Sequence, residues 1–462
     1  MRHFPRPEWV LAAVLLGAAL LVHLVIRPPA ASLSFEIYYQ LASAFTAGIA
    51  ASLLFVLGER LLAALPPAPR APARFVWRAA SAALALTIFL TIHPPRAAPL
   101  TRLLESTALS LACTVTLLAL FLPVSGLLRS RDLMRVATEV FGRWLPLLAY
   151  LIAAGPLMSA TLAHTPLVLD PVLLRMDLSL GFSPSEAIFA WEYDLAWVRI
   201  VSIWGYPLLG LFLATVAATL HLAGPAAHCR RCLLALTLVA TGGLVCYHLF
   251  PAIGPLHAFR PLFEIPITAP ALADRAAELR AAIVAGPDFI PGSPDHPRNV
   301  MPSLHTAFTL VALAAAWSWR RWFFWLCLPV GLVQIFTAMT LCVHYAVDLI
   351  AAVPFSAACW ALADWLTRRS PREGETPLPP HAPAAQRPGA FLASLGLALT
   401  ALLLWAKLAP IPPAIAWFLV ALIVGLPAWF TGRLLAAPKK QHLSADQRKT
   451  PPPFAPPTAD HL

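Results

Sequence analysis

The sequence predicts an all-α membrane protein: a polytopic helical bundle of about twelve spans with a six-helix core. Of its 462 residues, 59% are hydrophobic and only 12% are charged, and the mean hydropathy is +0.73. Such a composition lies outside the usual range of soluble domains. Apolar runs long enough to cross a hydrocarbon layer of about 30 Å recur along the chain. They cover 9–26, 37–57, 75–92, 104–124, 144–163, 197–220, 232–250, 301–319, 322–343, 344–366, 390–408 and 412–432.

The basic residues predict how these spans are oriented. The net charge of +11 does not indicate a nucleic-acid partner, because Arg and Lys fall in short loops between apolar runs. Alternate loops are basic, as at Arg320 and Arg321, whereas the loops between them are poor in bases or carry acids, as at Asp170 and Asp177. The positive-inside rule therefore predicts a multi-pass inner (plasma) membrane protein with both termini in the cytoplasm. The same rule puts the 251–300 loop on the external or periplasmic face.

The segments between the runs divide the chain into parts. The run 9–26 is long enough to be an uncleaved anchor rather than a signal peptide. The segment 164–196 has apolar clusters broken by charges, which predicts short interfacial helices. We expect a four-span N-terminal region (1–143), a six-span core (144–366), a polar, Pro-rich cytoplasmic linker (367–388), two C-terminal spans (389–432) and a cytoplasmic tail (433–462).

The seven cysteines favour packing over chemistry. Apart from Cys229 and Cys232, they all lie within apolar runs, where free cysteine behaves as a small hydrophobic residue. Cys229 and Cys232 form a lone CxxC pair with no second pair to complete a metal site. We therefore expect neither a metal nor a cofactor.

Two polar stretches, Asn299 to His305 and His344 to Asp348, interrupt the apolar pattern about 40 residues apart. A carboxylate at the centre of a membrane span costs about 2.5–3.5 kcal/mol on insertion scales, so such residues are rare and usually functional. A lone histidine in a span, such as His248, is more simply explained by packing. The spacing of His305, His344 and Asp348 instead predicts a catalytic group.

The first stretch predicts a helix start. Pro302 suits the first turn of a helix, so the eighth span is expected to begin near Met301, with Ser303 and His305 on its first turn. The free N–H groups and partial positive charge of a helix N-terminus form a natural phosphate site.

The second stretch predicts a nucleophile and its partner. The tenth span is expected to begin near His344, which puts His344 and Asp348, four residues apart, on one helix face. The carboxylate can accept one imidazole N–H and fix the tautomer, which leaves the other nitrogen free to attack. His305 would then be the general acid that protonates the leaving alkoxide.

These residues resemble two of the three motifs of the type 2 phosphatidic acid phosphatase superfamily. Pro302-Ser303-Leu304-His305 matches its Pro-Ser-x-His motif, and His344 and Asp348 match the His-x-x-x-Asp of its third motif. The resemblance implies phosphate-ester chemistry through a phosphohistidine, with His344 as nucleophile, Asp348 as its partner and His305 as acid. It covers 144–366, roughly half of the chain.

Three motif positions depart from the superfamily pattern. Ile253 stands where the first motif has Lys, and Thr337 and Ala338 stand where the third motif has Ser and Arg. These departures remove two positive charges that would neutralise the phosphate. Arg260, which precedes a proline at the first-motif offset, and Arg298 are the nearest bases on the outer face. Together with Ser303 and Asn299, they are the residues that we expect to bind the substrate.

Two further runs resemble the inositol phosphorylceramide synthase-like branch of the superfamily: 251–255 and the interfacial segment 173–182. The resemblance implies a phospholipid, sphingolipid or polyprenyl phosphate substrate. Either water or an alcohol such as inositol could accept the phosphoryl group, which leaves a lipid phosphatase and a head-group phosphotransferase both open. A twelve-span transporter is less favoured, because transporter sites lie near the midplane on broken helices of paired repeats. The lipid, the acceptor and the oligomeric state are not predicted.

Overall fold

The structure is a computed structural model that describes residues 7–26, parts of 55–60 and 139–161, 164–263, 270–293, 296, 298–371, 378 and 388–435. Several predictions made above fall outside these residues. They are the spans 75–92 and 104–124, most of 37–57 and 144–163, and most of the linker and the tail.

Helices dominate the described part of the chain, as the apolar runs predict. The only strands in that part are β1 (Leu167–Val168) and β2 (Ile290–Pro291), which pair antiparallel, Leu167 opposite Pro291. The helices are α1 (Pro7–Ile26), α2 (Asp170–Leu178), α3 (Pro184–Asp194), α4 (Ala196–Gly205), a 3₁₀ turn (Tyr206–Leu208), α5 (Leu209–Ala223), α6 (Ala226–Leu249), α7 (Pro255–Ala258), α8 (Arg260–Phe263), α9 (Pro270–Ala285), α10 (Leu304–Trp319), α11 (Arg321–Thr340), α12 (Ala346–Arg369), α13 (Pro388–Leu408) and α14 (Pro413–Leu435).

Among the described residues, five helices are long and apolar enough to cross a membrane: α6, α11, α12, α13 and α14. They support the prediction of a membrane protein. Two shorter apolar helices, α5 and α10, complete the central packing. The predicted span 197–220 is divided into α4 and α5 by the 3₁₀ turn, because a proline at the start of that turn cannot continue the amide ladder of α4.

The central bundle consists of α6, α10 and α12, each of which packs against the other two. Helices α5 and α11 flank α10, and the hairpin of α13 and α14 packs against α12. A glycine permits the closest approach in the centre: a Cβ on Gly243 of α6 would lie 2.4 Å from a methyl of Leu304. This approach lets the start of α10 lie directly against α6.

A layer of short elements covers one end of the bundle. It comprises β1, α2, α3, α7, α8 and α9, which confirms short helices in the segment 164–196. Main-chain hydrogen bonds tie the layer to the helix ends: Leu169 N–H donates to the Pro251 carbonyl at 2.8 Å, and Leu256 N–H donates to the Cys342 carbonyl at 3.2 Å. The end of α6 and the starts of α10 and α12 therefore meet under this layer.

The opposite end of the bundle is basic. Arg231 of α6 is buried, pairs with Asp364 of α12 at 2.7 Å and stacks over the Trp360 ring. Arg230 donates to the Ser370 carbonyl and hydroxyl, both at 2.7 Å. Arg230 and Arg231 therefore lie at the end of the bundle remote from His305 and His344.

The orientation in the membrane can be tested with two cysteine substitutions in the full chain. We expect Ala281→Cys, exposed on α9, to react from outside intact cells with a membrane-impermeant thiol reagent. Arg320→Cys, exposed at the start of α11, should react only after permeabilisation. Labelling of the unsubstituted protein provides the background, and the reverse pattern would show that the predicted orientation is wrong.

Candidate active site

The two polar stretches that the sequence singled out meet in one place. The N–H of Ser303 donates to the carbonyl of Asp348 at 3.2 Å. The turn before α10 and the first turn of α12 are thereby held together. The residues expected to act in one reaction, separated by about 40 positions in sequence, lie under the same covering layer.

His344 lies beside Asp348 but not within the same helix. The helix α12 begins at Ala346 rather than near His344, because Tyr345 takes the N-cap position. His344 therefore reaches Asp348 from the preceding turn, with Nδ1 3.4 Å from Oδ2. This separation exceeds the usual range of about 2.7–3.2 Å for an N–H···O hydrogen bond. Such pairs are often long before substrate binds.

Both side chains are removed from water, and His344 is only 4% exposed. Among the described residues, neither Nδ1 of His344 nor Oδ1 of Asp348 has a hydrogen-bond partner. Burial lowers the pKa of His344 to about 4, which the backbone of Val300 partly opposes by bonding to the ring. The imidazole is therefore neutral at physiological pH, and a neutral imidazole is what a nucleophile or metal ligand requires.

His305 lies in the first turn of α10 and is partly exposed. Its ring stacks on Tyr206 with centroids 3.8 Å apart and planes inclined by 17°. The helix starts three residues later than expected from Pro302, because the Ser303 side chain caps it and accepts from Thr306 N–H at 3.4 Å. His305 is close enough to His344 for the two imidazoles to interact electrostatically.

Carboxylates bind the first turn of α12. Asp177 of α2 accepts the N–H of Ala346 on Oδ2 and that of Val347 on Oδ1, both at 3.1 Å. The Ser185 hydroxyl also donates to it. Asp348 accepts the N–H of Tyr345 at 2.8 Å. Three of the amide groups that a helix start leaves without intrahelical partners are therefore satisfied by two buried carboxylates.

A third carboxylate, Asp170, joins this turn to the end of α6. Its Oδ1 accepts the Tyr345 hydroxyl at 2.9 Å and the N–H of Gly254 at 2.8 Å. Its Oδ2 accepts the N–H of Ile253 at 3.0 Å. Ile253, which replaces the first-motif lysine, thus contributes its backbone to the site, while its side chain is buried.

Burial and hydrogen bonding oppose each other at these two acids of α2. Burial raises the pKa of Asp170 and of Asp177 to about 6, although the donors around each one lower it. Both groups are consequently ionised at neutral pH. An ionised carboxylate accepts several hydrogen bonds at once, which is what their surroundings require.

The loop that leads from α6 to the site depends on a glycine. Gly254 has φ of +90°, and a Cβ there would lie 2.5 Å from the Val343 carbonyl oxygen. A side chain would therefore be excluded both by backbone conformation and by space. The contact brings the 251–254 loop against the residue that precedes His344.

The residues predicted to bind the substrate differ in how exposed they are and in what they contact. Arg260 is exposed on α8, and Asn299 is partly buried in the turn before α10. Arg298 is 1% exposed and donates to main-chain carbonyls: Nε to Thr165 at 3.1 Å, and Nη1 to Ser293 at 2.5 Å and to His296. Ser303 is the helix cap described above. Arg298 thereby anchors the loop beside the site.

Sequence reasoning missed the contribution of α2. Asp170 and Asp177 were interpreted only as acids of an outer loop. A signal was available, since positions seven apart lie on one face of a helix after two turns. The role of Arg298 in holding its loop had no comparable signal, because one of the carbonyls that it binds belongs to the distant residue Thr165.

The part of the chain that contains the candidate site is similar to a known protein family. Residues 171–362 match a family model described as the PAP2 superfamily. Neither a search of curated proteins nor a search of solved structures finds a match. The matched stretch contains His305, His344 and Asp348 and extends from α2 into α12. Together with helices long and apolar enough to cross a membrane, this similarity is compatible with a phosphatase-type membrane enzyme.

Proposed function

We propose that this protein is an integral membrane lipid phosphatase or lipid head-group phosphotransferase that works through a phosphohistidine at the external membrane face. The observation that supports this most is the meeting of His344, Asp348 and His305 at one end of the bundle. A buried, neutral imidazole beside a carboxylate is suited to nucleophilic attack. A second, partly exposed imidazole next to it is suited to proton transfer.

In the first half-reaction, the ring proton of His344 is on Nδ1, facing Asp348, and the other nitrogen exchanges its contact with the Val300 backbone for the phosphorus that it attacks. The phosphorus–nitrogen bond forms as the bond to the lipid alkoxide breaks. His305, which takes up a proton as the anionic phosphate binds beside it, gives this proton to the leaving oxygen, so the products are a free alcohol and a phosphohistidine. Asp348 stabilises the positive charge that develops on His344, as the carboxylate does in a catalytic triad.

In the second half-reaction, water or an alcohol attacks the phosphohistidine. His305, now neutral, takes the proton of the attacking hydroxyl. The phosphorus–nitrogen bond breaks, and His344 returns to its neutral state. Water gives free phosphate, whereas an alcohol gives a new phosphate ester.

The start of α10 is the best-supported position for the phosphate-binding site. The amides at the start of α12 are bonded by Asp177 and Asp348, so they are not available to a substrate. At α10, the N–H groups of Leu304 and His305 make no hydrogen bond within the described residues. The positive end of this 16-residue helix would then stabilise the phosphate, with Arg260 and Arg298 as the nearby cations.

The acceptor distinguishes the two reactions. The resemblance to the inositol phosphorylceramide synthase-like branch favours an alcohol, and phospholipids, sphingolipids and polyprenyl phosphates remain the substrate classes to be tested. Purified protein would be incubated with phosphatidic acid, phosphatidylinositol with ceramide, and undecaprenyl pyrophosphate. Free phosphate, or inositol phosphate from phosphatidylinositol, would indicate hydrolysis, and a new lipid formed only with an alcohol would indicate transfer. A transporter is disfavoured, since His305, His344 and Asp348 lie together at one end of the bundle, whereas transporter sites lie near the midplane.

Substitution of the nucleophile tests the proposal. We expect His344→Ala to abolish turnover of lipid phosphates and of para-nitrophenyl phosphate. Asp348→Asn should lower turnover by up to ~10⁴-fold, the loss seen when the carboxylate of a catalytic triad becomes an amide. The reason is that the imidazole then takes the wrong tautomer. An acid-labile, alkali-stable phosphoryl adduct should be trapped on the wild type and not on the His344 variant. Near-normal activity of His344→Ala in correctly inserted protein would show the assignment to be wrong.

Substitution of the acid separates proton donation from phosphate binding. A lipid alkoxide is a poor leaving group that needs a proton, whereas nitrophenolate leaves without one. His305→Ala should therefore lower the rate on a lipid phosphate by about 10²–10⁴-fold and have a much smaller effect on para-nitrophenyl phosphate. His344→Ala is the control that loses both. Equal losses on both substrates would assign phosphate binding to His305 and move the acid role elsewhere, first to His257.

A further inference from the structure

Helix α2 holds both sides of the turn that carries His344. Asp177 bonds the two amides that follow Tyr345, and Asp170 bonds the Tyr345 side chain and the amides of the facing loop. All three side chains are fully buried. Because Asp170 and Asp177 are two turns apart on a single helix, they fix these groups relative to each other.

We propose that Asp170 and Asp177 are positioning residues for the nucleophile, a role that rests on the proposed function of His344. Neither carboxylate touches the phosphate in this proposal. They act through the main chain of residues 345–347 and through the 253–254 loop. Their effect is to hold His344 in reach of Asp348 and of the start of α10.

The position of Asp348 makes the site sensitive to this support. Its Oδ2 atom both accepts the N–H of Tyr345 and faces Nδ1 of His344. If the first turn of α12 frays, the carboxylate of Asp348 moves away from the imidazole of His344. A displacement of about 1 Å at the reacting groups can lower a rate by about 100-fold.

Helix α2 is itself fixed by the last two helices. The N–H of Ile411, in the turn between α13 and α14, donates to the Ser179 hydroxyl at 3.1 Å. The indole N–H of Trp417 donates to the Leu180 carbonyl at 3.2 Å. Arg175 of α2 also pairs with Asp288, which lies between α9 and β2. The C-terminal hairpin thus supports the helix that carries the two acids.

Single-turnover kinetics distinguish positioning from a purely structural role. Full-length protein at saturating excess over para-nitrophenyl phosphate releases nitrophenolate at the rate at which His344 is phosphorylated. This rate constant does not depend on the fraction of misfolded protein. A structural role would lower only the amount of active enzyme, whereas a positioning role lowers the rate constant itself.

We expect Asp177→Asn to lower the single-turnover rate constant by about 10- to 100-fold. The Asn side chain has a single acceptor oxygen, so one of the two backbone N–H groups at the start of α12 loses its partner. Tyr345→Phe should lower it by about 3- to 10-fold, since it removes one hydrogen bond to Asp170 without changing charge. KM should change by less than about 3-fold, because neither residue binds substrate. Asp194→Asn, at an exposed acid at the end of α3, is the matched control and should match the wild type.

The outcomes separate this proposal from the proposed function. Wild-type phosphorylation of His344 together with unchanged rate constants in Asp177→Asn and Tyr345→Phe would overturn the positioning role alone. If Asp177→Asn does not fold, Asp170→Asn and Tyr345→Phe decide in the same way. An unphosphorylated wild type, with His344→Ala equally active, would overturn the proposed function and the positioning role with it.

Discussion

The first turn of α12 is the constraint on which the rest of the site depends. A helix start leaves amides without partners, and here it must lie beside a buried imidazole rather than in water. Asp177 and Asp348 together satisfy three of these amides, and Asp170 fixes the cap residue Tyr345 through its hydroxyl. Negative charge at a helix start is also favoured by the helix dipole. The geometry of His344 follows from this capping, because His344 directly precedes the capped residues.

Buried carboxylates are tolerated here because each accepts several hydrogen bonds. Removing a carboxylate from water has an effective penalty of several kcal/mol. A hydrogen bond to a charged group returns about 1.5–3 kcal/mol. Asp177 and Asp170 each accept three, so hydrogen bonds of this size can offset the penalty. Asp348 differs: one oxygen accepts the Tyr345 amide, while the other has no partner among the described residues. The least satisfied of the three carboxylates is therefore the one beside the candidate nucleophile.

Much of this arrangement could be predicted from the sequence, for physical reasons that differ by residue. Apolar length located α6, α11, α12, α13 and α14, because hydrophobicity alone decides what can cross a membrane. The ionisable residues His305, His344 and Asp348 stood out for the opposite reason. The starts of α10 and α12 were predicted two or three residues early, since capping by Ser303 and Tyr345 decides them rather than proline or periodicity. The spacing of Asp170 and Asp177 predicts that they share a helix face, but their partners could not be predicted, because the hydrogen bonds join residues about 170 positions apart.

Hydrogen exchange at the start of α12 tests the capping most directly. In the wild type, the amides of residues 345–347 should be strongly protected, since each donates to a buried carboxylate. The account predicts that Asp177→Asn accelerates exchange in a peptide covering 343–350 by about tenfold or more, which corresponds to at least ~1.4 kcal/mol of local opening free energy. Asp194→Asn should leave it unchanged. Equal protection of this peptide in the wild type and in Asp177→Asn would contradict the claim that carboxylates of α2 hold the turn that bears His344.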